Sequence, residues 1–183
     1  MRRRRTMIVA SALVGTSMSL TACAWWSPEG TALMNPVEHG WVTRQEMGSV
    51  FSDGMESLEV VRGPITIKDI RTIGPKGVTQ VGFRLQLPTT KSPQVQLSKG
   101  FPPALPDLVE GVGRTIGTSG TKESWNVVIG YRVDEDRRWE RTGVEVIYEK
   151  DGITYHQTFQ GTIIVCTPST PEVDCWDPRL GER

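Results

Sequence analysis

The sequence predicts an all-β protein, an antiparallel β-sandwich with long irregular loops. Several segments alternate apolar and polar residues with a period of two. This pattern is typical of a strand with one face toward the core and the other toward water. The chain also holds 19 glycines and 12 prolines, and many of them fall between these segments as turns. No internal repeat is visible, so a single sandwich accounts for the pattern.

The clear strand patterns begin at residue 57. Residues 57–62 lead to a Gly63-Pro64 turn, and 65–73 then alternate apolar and polar residues. Residues 74–77 form a second turn. In 78–88 one face is apolar, and we expect these residues to face the core: Val81, Phe83, Leu85 and Leu87.

Three further strands close the domain. In residues 125–133 every second residue is apolar, and these predicted core residues are Trp125, Val127, Ile129, Tyr131 and Val133. Residues 144–159 form a hairpin, because Asp151-Gly152 suits the positive φ angles of a type I′ turn. A last strand spans 162–166.

The predicted turn also sets the register of this hairpin. It pairs Tyr148 with Tyr155. The same register places the polar Gln157 beside Val146 on the apolar face, which a bulge or a partly wet face would explain.

Seven or eight such strands with little helix indicate an immunoglobulin-like architecture. The Cys, Trp and Cys core pattern of true immunoglobulin domains is absent, so the expectation concerns architecture alone. A small barrel is the alternative.

Residues 89–123 are the longest irregular stretch. We expect them to form an exposed loop region that contributes to partner binding and is not part of the core, since irregular backbone belongs at the surface. Its exposed apolar candidates are Phe101, Leu105, Leu108 and Val109.

The chain opens with a targeting pattern. Arg2 to Arg5 form a basic cluster, and the uncharged 14-residue stretch 7–20 follows. That length fits the apolar region of an export signal and is short of the ~20 residues that a spanning helix needs.

The apolar stretch ends in Leu20-Thr21-Ala22-Cys23, which resembles a bacterial lipobox. With the arginine-rich start, the segment resembles a lipoprotein signal peptide of actinobacterial type. The resemblance implies that residues 1–22 are removed and that Cys23 becomes the acylated N-terminus, carrying fatty acids such as palmitate. It places the protein on the extracytoplasmic face of the cell membrane, held by its lipid anchor, and leaves the export route open between the general and the twin-arginine pathways.

The charge of the remaining chain limits the partners that we expect. Removal of residues 1–22 takes four of the 21 basic residues and no acidic ones, which leaves 17 basic against 21 acidic side chains, a net charge of −4. No long basic run survives, so nucleic acid is not an expected partner. We assign 23–56 to a membrane-proximal tether that partly packs on the domain and 57–183 to the β-sandwich. A short helix over residues 43–51 within the tether is a further expectation, with Thr43 as its N-cap.

Two cysteines remain besides Cys23. Cys166 and Cys175 enclose eight residues, two of them proline. An even pair in an exported protein predicts a disulfide. A redox or zinc site is the alternative, but the pair lacks C-x-x-C spacing and further ligands are scarce.

Few side chains form a pattern typical of catalysis. His156 shares one face of the predicted hairpin with Thr154 and Thr158. A general base needs a nucleophile and an orienting carboxylate that the sequence cannot place. A surface or internally paired histidine is the simpler interpretation.

Metal and glycosidase patterns are weaker still. A soft copper site could be imagined from Met34, His39, Met47 and Met55, but dense Met-x-His clustering is missing. The acids in 133–138 are contiguous, unlike the alternating ligands of a calcium loop. Nothing in the spacing of Asp69, Asp107 and Glu110 supports a pair of glycosidase carboxylates. We therefore predict no catalytic residue, metal site or cofactor.

These observations favour a lipid-anchored extracytoplasmic β-sandwich that binds a protein or another cell-envelope partner. The alternative is a small-ligand carrier or an enzyme whose site is assembled from distant loops. A catalyst needs a polar cluster with perturbed ionisation in a concave pocket, whereas a binding module needs an exposed apolar patch or loop.

Overall fold

The computed structural model describes residues 27–35, 40–74, 77–86, 97–118 and 123–176. These residues form eleven strands and one short helix, which in chain order are β1 (Leu33–Met34), β2 (Gly40–Arg44), β3 (Val50–Val60), β4 (Ile65–Ile73), β5 (Val78–Gln86), β6 (Leu97–Lys99), β7 (Leu108–Glu110), β8 (Thr115–Ile116), β9 (Glu123–Val133), β10 (Trp139–Lys150), β11 (Ile153–Cys166) and α1 (Glu172–Cys175).

The strands form two sheets. The first has the order β1-β3-β9-β5-β7, with β6 also paired to β3, and the second has the order β2-β11-β10-β4-β8. Among the strand pairs of the described residues only β2 and β11 run parallel. The long strands thus follow the order B-E-D in one sheet and G-F-C in the other, which is the arrangement of the immunoglobulin fold. The predicted immunoglobulin-like β-sandwich is confirmed.

The core lies between the two sheets and follows the period-two pattern. Strand β9 contributes all five of its predicted inward residues. The opposite sheet supplies branched and aromatic side chains to the same cluster: Ile65, Ile67, Ile70, Val144, Val146, Tyr148, Phe159, Ile163 and Val165. Burial of such side chains on both inner faces is what holds the sheets together.

The predicted hairpin is confirmed, including its register. Tyr148 lies opposite Tyr155, and Asp151 has φ of 52°. Gln157 lies opposite Val146 as expected, without a bulge at this position and with its side chain partly exposed. Its amide donates to the carbonyl of Leu33 at 2.7 Å and accepts from the Leu33 N–H at 3.2 Å, so strand β1 satisfies this polar group.

The sandwich begins earlier in the chain than expected. The predicted boundary at residue 57 falls inside β3, and the first half of β3 pairs with β9. Residues 40–44, assigned to the tether, form β2, and the predicted helix over 43–51 is wrong because a turn joins β2 to β3. The sequence pattern of β3 is hard to recognise because of Asp53. This charged residue is fully buried at a position where a strand normally places an apolar side chain toward the core.

One predicted core residue of β5 is displaced. The register against β9 shifts between Gln80 and Gly82, and Val81 at the shift is exposed. Phe83 and Leu85 are buried as expected, and Leu87 lies outside the described residues. A bulge changes the parity of a strand, which the alternation alone does not reveal.

The stretch 89–123 contributes to the sandwich more than we expected. Its described part contains β6, β7 and β8, and Ile116 of β8 is fully buried in the core. The ring of Phe101 covers two glycines on the outer face of the first sheet, where a β-carbon on Gly82 or Gly130 would lie 2.9 or 2.3 Å from it. The expectation that this stretch contains no core element is therefore wrong. Phe101 and Val109 fold back onto the sheets, whereas Leu97 and Val112 of the same stretch are exposed.

Candidate functional site

A disulfide joins the end of β11 to the short helix. Cys166 and Cys175 have Cα atoms 5.9 Å apart, as predicted from the sequence. The pair forms a small second core on the outer face of the sheet with the fully buried Ile164, and Val42 of β2 packs against it. The bridge therefore attaches α1 firmly to the sheet beside its edge strand.

A groove of about 450 Å³ runs between β2 and α1. Strand β2 contributes Val42, Thr43 and Arg44, and the helix side contributes Glu172, Val173, Cys175 and Trp176. Two of these apolar side chains are largely in contact with solvent, Val173 at 79% and Trp176 at 62% exposure. Exposed apolar side chains beside a concave surface are typical of a binding site.

Strand β2 is also an edge. Within the described part of the chain, its pairing with β11 is on one side only, so the other side presents unpaired backbone groups. An open edge can pair with an extended segment from another chain. The groove and this edge adjoin, because Val42 to Arg44 belong to both.

Hydrogen bonds hold the loop before α1 in place. One guanidinium N–H group of Arg44 donates to the carbonyls of Thr167 and Thr170, at 3.3 and 3.0 Å. Ser169 donates to Asp136 at 2.5 Å. This hydroxyl, with that of Thr167, lowers the pKa of Asp136 below its usual 3.8. The wall of the groove is thus supported by charged residues from both sides.

A buried ion pair lies in the core. Arg141 of β10 donates to Asp53 of β3 at 3.1 Å and to the hydroxyl of Tyr131 at 3.2 Å. The side chains of Arg141 and Asp53 are at most 1% exposed. Because they belong to different sheets, the pair cross-links the sandwich from within.

His156 is paired across the hairpin. Its Nδ1 lies 3.5 Å from a carboxylate oxygen of Glu145, and both side chains are about one third exposed. Ile147 is the direct neighbour of His156 on β10, so the Glu145 contact is a diagonal cross-strand pair. The backbone of His156 also bonds to residues near the start of the described chain, at Pro28 and Gly30. The simpler interpretation, a histidine paired within the fold, fits this arrangement.

The methionines proposed for copper are not brought together. Met34 pairs with Glu59 near the end of β3, whereas Met47 lies in the turn before β3 begins. His39 and the side chain of Met55 lie outside the described residues. In the described part of the chain no group of three or more His, Cys, Asp or Glu side chains could hold a metal ion.

Two of the three glycosidase candidates do share a surface. Asp69 and Glu110 line one shallow depression of about 390 Å³. Each already has an arginine partner, Arg71 at 2.7 Å and Arg84 at 3.0 Å. Asp107, the third candidate, does not line the depression and has a φ of 63°. Paired charges at an open surface do not form the acid and base that glycoside hydrolysis needs.

The acidic turn at 134–138 is a set of local pairs. Asp134 accepts from Thr79 and from Arg132, and these two contacts lower its pKa. Glu135 pairs with Arg137 at 2.6 Å. The acidic side chains of this turn that are named here are thus paired with neighbouring residues.

Sequence reasoning missed the groove and the buried pair for different reasons. The groove joins residues 42–44 to 172–176, which are about 130 positions apart in the chain. The burial of Asp53 and Arg141 could have been predicted from the sequence. Each lies two residues after an apolar residue, Phe51 or Trp139, and so on the same face of its strand. The parity of the strand would have placed both charges in the core.

Comparison with known proteins adds little. No family model matches the chain, and no curated protein matches it. Five chains among the solved structures match. One is the ASH / PapD-like domain of human CEP192 (PapD-like domain 7), 10% identical, covering 88% of this chain and 97% of that chain with a TM-score of 0.36. So distant a likeness says nothing about ligands or partners.

No helix within the described residues is long and apolar enough to cross a membrane.

Proposed function

We propose that this protein is a lipid-anchored binding module of the cell envelope, attached to the extracytoplasmic face of the membrane through Cys23. The basic cluster, the apolar stretch and Leu20-Thr21-Ala22-Cys23 support the anchor. The disulfide supports an oxidising compartment, where such bonds persist. Two or more acyl chains make such anchoring stable.

The observation that carries the binding role is the groove beside β2. Val173 of α1 and Trp176, which directly follows the helix, project into solvent, and the disulfide fixes this segment in place. A preorganised apolar surface binds with little loss of conformational freedom. The partner is a protein that lays an extended segment along β2 and inserts an apolar side chain between Val42 and Trp176.

The anchor is tested by Cys23→Ala with membrane fractionation and labelled fatty acid. The wild type should be labelled and sediment with membranes, and the variant should be unlabelled and soluble. Unlabelled wild-type protein recovered wholly from the culture fluid would contradict the anchor.

The binding role is tested by site-specific photocross-linking in cells. A photoreactive residue at position 176 should give a cross-linked protein of defined mass, identified by mass spectrometry. The same residue at position 47, where Met47 is 63% exposed at the same end of the sandwich, is the matched control. Val173→Ser should weaken the cross-link at 176 with the fold intact. Equal products at both positions, or none at 176, would contradict the proposal.

A further inference from the structure

The first described residues are tied to one end of the sandwich. The backbone N–H of His156 donates to the carbonyl of Pro28 at 3.1 Å, and Gly30 donates back to the His156 carbonyl at 2.7 Å. The N–H of Ala32 donates to the hydroxyl of Tyr148 at 3.1 Å. With the Gln157 contacts to Leu33, the segment 28–33 is held along β11 near its start.

The direction of this segment fixes where the chain enters the domain. Glu29 forms a parallel bridge with His156, so residues 28–30 run the same way as β11. Followed backwards, the chain heads toward Ile153 and the β10–β11 turn. Cys23 is five residues before Pro28, which allows a separation of at most ~18 Å. The described chain thus begins at the end of the sandwich that carries this turn.

The groove belongs to the opposite end. Arg44 is level with Cys166 in the ladder of β2 and β11, and the disulfide places α1 there as well. His156 and Cys166 are ten positions apart on one extended strand. At a rise of ~3.3 Å per residue they are separated by about 33 Å.

The side chains of the turn end are mixed in character. Ile153 is 50% exposed beside the turn, and Val61 is exposed next to the segment that holds Thr31. Lys150 pairs with Asp151 of the turn at 2.7 Å. Exposed apolar side chains near a long cationic one suit the boundary between lipid headgroups and water.

We infer that the domain stands end-on at the membrane, with the β10–β11 turn facing the lipid surface and the groove between β2 and α1 facing away. This inference rests on the proposed anchor at Cys23. It gives the groove a role in reaching partners at a distance from the bilayer, and it gives Ile153 a place at the lipid surface.

The orientation is tested with the full-length acylated protein in vesicles of its host's lipids that carry nitroxide groups at the headgroup. Ile153→Cys and Met47→Cys are each labelled with a fluorophore, because both side chains are exposed and lie at opposite ends of the sandwich. Intact mass of each protein verifies that the native disulfide is retained and that a single site is labelled.

The expected result is strong quenching at position 153 and little at position 47. Equal quenching would show that the domain lies flat, and stronger quenching at 47 would show that it is inverted, and either result overturns the inference. If the acylated protein does not float with the vesicles at all, the anchor itself has failed and the orientation fails with it. Flotation is measured first, so the two failures are distinguished.

Discussion

The interaction between Arg141 and Asp53 is costly to disturb, because both charges are removed from water. We expect Arg141→Met to destabilise the fold by about 3–5 kcal/mol, since it leaves the Asp53 carboxylate buried without its cation. Urea denaturation followed by tryptophan fluorescence measures the change. The double variant Asp53→Leu with Arg141→Met should be less destabilised than Arg141→Met alone.

The matched control is an ion pair at the surface. Arg132 lies 2.7 Å from Asp134 with its side chain about half exposed. Arg132→Met should cost at most about 1 kcal/mol. Equal effects of the two single substitutions would contradict the role assigned to the buried pair.

Asp136 provides a pH-dependent contribution. The hydroxyls of Ser169 and Thr167 hold its pKa below 3.8 in the folded protein. A depressed pKa stabilises the fold at pH values above the unfolded pKa, and this contribution is lost as pH falls through the folded value. The melting temperature of Asp136→Asn should therefore lie below that of the wild type at neutral pH and approach it in acid.

Ser169→Ala is the control for this titration, because it removes the first cause of the lowered pKa. The drop in melting temperature that Asp136→Asn causes at neutral pH should therefore be smaller when Ser169→Ala is already present. Melting curves by circular dichroism across the acid range measure the wild type, the two single variants and the double variant. An effect of Asp136→Asn that is the same at every pH would contradict the assignment.

At the scale of elements, β5 and β9 depend on a contact from outside their own sheet. Gly82 and Gly130 leave a smooth surface on which Phe101 rests, and the guanidinium of Arg84 lies 5.6 Å from the ring centre. The loop after β6 is held against the sandwich by this contact. A glycine is required at Gly130 because of this close approach and not because of its backbone angles.

We expect Gly130→Ala to destabilise the protein by about 1–3 kcal/mol, because the new methyl group would overlap the Phe101 ring. In a Phe101→Ala background the same substitution should cost far less. A double-mutant cycle by urea denaturation measures the coupling. Additive effects of the two substitutions would show that the ring does not rest on Gly130.

At the scale of the whole molecule, the structure moves the start of the domain. Residues 50–56 belong to β3, and with them Phe51 and Asp53 enter the core. A chain beginning at residue 57, the boundary predicted from the sequence, would lack Asp53, the carboxylate that pairs with Arg141. We expect it not to fold, whereas a chain beginning at residue 27 should fold.

Circular dichroism and a cooperative thermal transition distinguish the two chains. The chain from 27 keeps β1, whose Leu33 bonds to Gln157, and β2, which pairs with the edge of β11. A cooperative transition in the chain from 57 would show that the sandwich tolerates the loss of half of a central strand, against this prediction.

The sequence by itself determined the features that depend on neighbouring residues. The alternation of β4, β9 and β10, the Asp151-Gly152 turn and the register of its hairpin follow from local periodicity and backbone sterics. The Cys166–Cys175 bridge follows from two cysteines close in the chain. These features require no knowledge of which strands meet.

Only the tertiary structure decided the features that depend on distant residues meeting. Parallel pairing of β2 with β11, the Arg141–Asp53 pair and the groove between β2 and α1 each join segments about 90 to 130 positions apart. Alternation predicts which face of the sheet a side chain takes, but not which strand lies opposite. A charged residue within a strand pattern therefore looks like an interruption of the strand until the oppositely charged residue that pairs with it is known. The groove exists because the fold brings β2 and the last described residues, α1 and Trp176, together at one edge of the sandwich.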